Sequence, residues 1–126
     1  MSDLTAQARI RNAALAGFAR DGVAATSIRD VAKAAGVSPG LVQHHFSSKA
    51  ALVQAVNDHV IAIAATAFSA KLDSRPQADV FQQVGDRITG LVRDNPLALL
   101  YVARSTADGE EAALQIFDAF VAIARA

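Results

Sequence analysis

Cysteine and tryptophan are absent from this 126-residue sequence, and proline occurs only three times. Without cysteine there is no disulfide framework and no thiolate-bound metal. Three prolines and seven glycines leave room for long helices. Long hydrophobic runs are missing too. The greasiest stretch, Val60 to Phe68, is broken by Thr66 and preceded by Asn57, Asp58 and His59, whereas a bilayer span needs about 20 apolar residues. The start, Met1-Ser2-Asp3-Leu4-Thr5, lacks a secretory apolar region. These absences lead to the expectation of a cytoplasmic protein with no membrane association. Neither sign of charge dominates, since 12 basic residues face 12 acidic ones. Their distribution is uneven. Residues 1–50 carry six basic and three acidic side chains, and residues 51–126 carry six basic and nine acidic. The result is a basic head on an acidic body.

What is present is helical periodicity. With 52% hydrophobic residues the chain can bury a core. No stretch alternates with period two for long, so the expected class is all-α. Ile10, Ala14 and Phe18 form the stripe of a first helix over 5–20, which Gly22 stops. Ser27 and Asp30 form a capping box for a short helix, Ile28 to Ala35, which Gly36 ends. Ser38 caps the next helix with Pro39 at its first position, and that helix runs to His45 or Phe46. A long fourth helix is expected from Lys49 to Leu72, with a stripe of Leu52, Val56, Val60, Ile63 and Ala67. Asp73-Ser74-Arg75-Pro76 breaks the chain. A fifth helix presents Val80, Val84, Ile88, Leu91 and Val92 on one face. Asn95-Pro96 reads as cap plus first position of a sixth. The seventh, Glu110 to Arg125, is apolar around much of its circumference and calls for burial on more than one side.

The spacing Ala32-x3-Gly36-x5-Val42 carries the functional signal. Ala32 is small where a second helix crosses it, Gly36 can take the positive φ of a tight turn, and Val42 plugs the second helix onto the core. This is the pattern of a helix-turn-helix, whose second helix presents its N-terminal residues to base edges in the major groove. Thr26, Ser27, Arg29, His45, Ser48 and Lys49 are donors placed around it and suited to phosphate oxygens. Ser38 joins them at the start of the second helix. His44 and His45 are a poor metal pair, because neighbours on a helix point about 100° apart. Gly36-Val37-Ser38-Pro39-Gly40 imitates a nucleophile elbow but follows a helix, where an elbow requires a strand. No catalytic or metal-ligating set is found, and no cofactor is expected.

The stretch from Arg9 to Leu52 resembles the DNA-binding domain of the TetR/AcrR family of bacterial transcriptional regulators. The matching residues are Ile10, Ala14, Phe18, Gly22, Thr26 to Ala32, Ala35 to Ser38, Gly40, Val42, His45-Phe46, Ser48-Lys49 and Leu52. The resemblance implies a three-helix head over 1–50 and a helical effector-binding and dimerisation bundle over 51–126. It implies that this bundle is incomplete, because family members continue with two further helices that build the dimer. It implies phosphate contacts from Thr26, His45 and Lys49, with base or adjacent backbone contacts from Arg29, Gly40, Leu41, Gln43 and His44. The family often has tyrosine where Gln43 stands, and glutamine can pair bidentately with adenine. The expected function is a sequence-specific regulator, most often a repressor, acting as a homodimer on an inverted-repeat operator in double-stranded DNA. A small hydrophobic effector would release it by shifting the fourth helix. His59, Ile63, Thr66, Asp86, Tyr101 and Arg104 are the candidate effector contacts, with Arg87 as a further polar group in apolar surroundings. The competing reading is a helical protein-interaction module that no longer binds DNA and acts through its apolar last helix.

Overall fold

The computed structural model describes residues 3–68, 77–109 and 111–125, all helices and short connections. The order is α1 (Asp3–Asp21), α2 (Ile28–Ala35), α3 (Pro39–His45), α4 (Lys49–Phe68), α5 (Gln77–Asp94), α6 (Pro96–Ala107) and α7 (Glu111–Arg125). The expected end of the fourth helix at Leu72, the break at Asp73 to Pro76 and the start of the seventh at Glu110 lie outside the described residues.

Local chemistry sets the head. The Ser27 hydroxyl accepts from the Asp30 amide, and the Asp30 carboxylate accepts from the Ser27 amide, closing the capping box. Gly36 ends α2 at φ 73° and ψ 33°. Its amide donates to Lys33, and the Val37 amide donates to Ala32, which satisfies two carbonyls of the last turn. The Ser38 hydroxyl accepts from the Leu41 amide to start α3, and the Ser48 hydroxyl accepts from Ala51 to start α4. A Cβ at position 36 would meet the left-handed backbone penalty and a guanidinium nitrogen of Arg9 only 3.1 Å away. Gly36→Ala is therefore expected to cost about 1–2 kcal/mol, read as a lower urea midpoint at unchanged slope.

The core runs through head and body without a gap. Ile10, Ala14 and Phe18 of α1 join Val31 and Ala32 of α2, Val42 of α3 and Leu52, Val56 and Val60 of α4. Tyr101 of α6 and Ile116 of α7 complete it. The α1 helix packs most extensively on α6, so head and body share a wide contact. The Phe18 and Tyr101 rings lie there, 6.3 Å apart between centroids.

Several expectations change. The buried face of α4 is Leu52, Val56, Asn57, Val60 and Ala64. Ile63 and Ala67 are only half-buried, because a stripe can continue from Val60 by three residues or by four, and the tertiary packing of α4 buries Ala64. In α5, Ile88 and Val92 are exposed along with Phe81. Among the described side chains of α7, Ile116 is buried while Leu114 and Phe117 stand in solvent. Asn95 does not cap α6 with its side chain. Its carboxamide donates back to the Leu91 carbonyl at the end of α5. By length and composition, α4 is long and apolar enough to cross a bilayer, which counting only the unbroken run missed. Its apolar stripe is spent on α1, α5 and α7, as in the core helix of a bundle.

Candidate nucleic-acid interface

The α3 helix is short and anchored through one side. Val42 is fully buried and Leu41 half-buried, while Gly40, Gln43 and His44 are exposed on the side away from the core. Of the residues expected at bases or the adjacent backbone, packing leaves Arg29, Gly40, Gln43 and His44 exposed and Leu41 half-buried. Ser27, Arg29 and Ser38 are exposed around the starts of α2 and α3, and Lys49 is half-buried at the start of α4. Both serine oxygens accept a cap bond, which leaves each hydroxyl hydrogen able to donate outward. The Asp30 carboxyl is held below its ordinary range by the Ser27 backbone and hydroxyl hydrogen bonds, with the fields of Lys33 and Lys49 adding to them. It remains an anion among these cations and keeps the cap closed at neutral pH.

Two expected phosphate contacts are placed differently. Thr26 is 4% exposed. Its hydroxyl donates to the Gly22 carbonyl at 2.8 Å and its amide to Val23 at 3.3 Å. Both donors are committed inward, so Thr26 has none to offer a phosphate in this geometry. The reason is close packing: the Thr26 methyl sits 2.9 Å from where a Cβ on Gly17 would lie, a notch that only glycine leaves. His45 is half-buried, and its Nε2 is enclosed without a partner among the described residues. A phosphate contact from His45 must use Nδ1 or follow a rotation of the ring. The His44 and His45 rings meet edge to face, 5.2 Å apart between centroids.

In the body, His59, Ile63 and Thr66 of α4 line an open groove of about 540 Å³. Arg87, Leu91 and Asp94 of α5, together with Asn95, form its other wall. The remaining effector candidates lie elsewhere. Asp86 accepts from Gln82 on an exposed face of α5. Tyr101 is fully buried and donates to Asn57 Oδ1 at 2.5 Å. Arg104 donates to the Arg20 carbonyl at the end of α1, at 2.9 Å. All three are polar groups in an apolar pattern, and each has an intramolecular partner. Asp94 and Asn95 were missed because the groove exists only once α4 and α5 pair. Burial, and then the nearby Arg11 charge, push the His59 imidazole below its ordinary value. The unfolded chain therefore binds the proton more readily, and stability falls as pH drops through the unfolded value of 6.5. The expected result is a lower Tm at pH 5.5 than at pH 7.5, with a smaller difference in His59→Gln.

A capped α2, a tight left-handed turn and an α3 with its polar side outward define a helix-turn-helix protein with a helical body. Residues 10–56 match the family described as bacterial regulatory proteins, tetR family. The chain is 34% identical over 120 residues to the HTH-type transcriptional regulatory protein RaaS of Mycobacterium tuberculosis, covering 95% of this chain and 54% of that protein. It is 44% identical over 80 residues to the HTH-type transcriptional repressor Rv3405c of the same organism, covering 64% of this chain and 40% of that one. A solved TetR-family transcription regulator from Shewanella superposes with a TM-score of 0.66 at 29% identity, covering 76% of this chain and 52% of that chain. Residues 10–56 thus form a TetR-family head, and the helical body that follows has the architecture of TetR-family regulators. The chain spans about half or less of the length of these curated relatives.

Proposed function

We propose that this chain is a sequence-specific DNA-binding regulator, a repressor that acts in the cytoplasm as a homodimer on an inverted-repeat operator. The observation that carries the reading is the exposed side of α3, where Gly40, Gln43 and His44 stand clear of the core. The donors Ser27, Arg29, Ser38 and Lys49 surround it. This arrangement separates base reading on α3 from backbone positioning at its margins. The head would extend over about residues 1–50, which would put its boundary with the body in the first turn of α4. The groove between α4 and α5 is the proposed effector site, with His59, Thr66 and Arg87 as polar groups on an apolar floor that includes Ile63 and Leu91. An effector there releases DNA only if it binds the non-reading conformation more tightly.

Gln43 tests base reading. Gln43→Ala is expected to cost about 1–3 kcal/mol of discrimination at one base pair while leaving binding to mismatched duplexes nearly unchanged. The check is a competition assay over single-base variants of a selected duplex. Uniform weakening across all variants would show that Gln43 holds the backbone. The second reading, a protein-interaction module, draws on the exposed Leu114 and Phe117 of α7. It is favoured if the chain binds no duplex but self-associates or captures a partner through that face.

A further inference from the structure

At the turn between α2 and α3 a side chain satisfies a carbonyl that the backbone leaves open. The Val37 and Gly36 amides take the Ala32 and Lys33 carbonyls. The Ala35 carbonyl, last in α2, accepts instead from Arg9 Nη2 of α1 at 2.6 Å, across 26 residues of sequence. Ala35 is itself 3% exposed, so this acceptor sits at the edge of the core. The same guanidinium nitrogen lies 3.1 Å from where a Cβ on Gly36 would be. A cation at the C-terminal end of a helix is also favoured by the helix dipole.

We propose that Arg9 is a positioning residue for α3: it fastens the turn to α1 and so fixes the angle at which α3 leaves α2. A family-type head has an alternative use for an arginine near the interface, a phosphate contact, and the two roles are separable. A guanidinium fastened to Ala35 adds no released counterion, whereas a phosphate contact contributes about 0.9 to the slope of log affinity against log salt. The assignment of Arg9 to the turn stands on intramolecular geometry alone. Only its effect on DNA rests on the regulator reading.

Two measurements on Arg9→Ala test it. The first needs no DNA. Amide hydrogen exchange at Gly36 and Val37 is expected to quicken about tenfold, the scale of a lost charged hydrogen bond. Exchange at Val56 and Val60 of α4 should hold steady. Unchanged exchange at the turn overturns the proposal, and a uniform rise at all sites assigns Arg9 to global stability instead. The second uses a duplex enriched from a random-sequence library by the wild-type chain. Affinity is expected to fall about tenfold with an unchanged salt slope. A slope lower by about 0.9 makes Arg9 a phosphate contact and overturns the positioning role. If the wild-type chain enriches no duplex, the DNA reading fails, and the exchange experiment still decides the turn assignment.

Discussion

Tyr101→Ala is expected to cost about 3–5 kcal/mol of folding free energy, the range for removing a large buried aromatic side chain. Tyr101 is fully buried, and its ring lies against Phe18 of α1. Its hydroxyl donates to Asn57 Oδ1 of α4, and Asn57 is only 2% exposed. Truncation therefore opens a cavity where three helices meet and leaves a buried carboxamide oxygen without its donor. Tyr101→Phe separates the two effects. It keeps the ring and removes only the donor, for an expected loss of about 1–3 kcal/mol. Urea unfolding of both variants, compared at constant slope, checks this. A Tyr101→Phe chain as stable as wild type would mean that Asn57 finds another donor.

The second large effect is electrostatic. A dimer making about 6–10 phosphate contacts is expected to lose about 10³–10⁵ in affinity between 50 and 200 mM salt. Lys49, half-buried at the start of α4, is a cation at the margin of the reading side. Lys49→Ala should lower affinity at low salt and reduce the salt slope by about 0.9 per head. It should leave base preference intact, in contrast to Gln43→Ala. An affinity indifferent to salt would remove the phosphate contacts, and the regulator reading with them.

The head was legible in the sequence because its determinants are local. Ser27 with Asp30, Gly36, and Ser38 with Pro39 each act within about one turn of helix, and α2 and α3 begin and end where those residues require. The body was legible only as helices. The face of α4 turns on a choice between Ile63 and Ala64 that tertiary packing makes. Asn57 carries no local sign of burial, because the tyrosine that satisfies it lies 44 residues away. Asn95 has the composition of a cap yet spends its side chain on Leu91. The effector candidates divide the same way. His59, Ile63 and Thr66 share a groove because they lie on one side of α4. Tyr101 and Arg104 are polar groups of α6 that the chain uses on itself, one in the core and one on the end of α1. Thr26 shows the limit of a positional analogy. A residue at a contact position serves that contact only if its donors are free, and here both point inward.

On the proposed function, α3 reads sequence. Selection from a random duplex library at moderate salt, followed by sequencing, tests it most directly. The expected result is an enriched motif arranged as an inverted repeat, with the same enrichment lost in Gln43→Ala at one position of each half-site. A single half-site would keep the reading head and remove the dimer. No enrichment at any salt concentration that keeps the chain folded would contradict the claim and leave the exposed apolar face of α7 as the working surface.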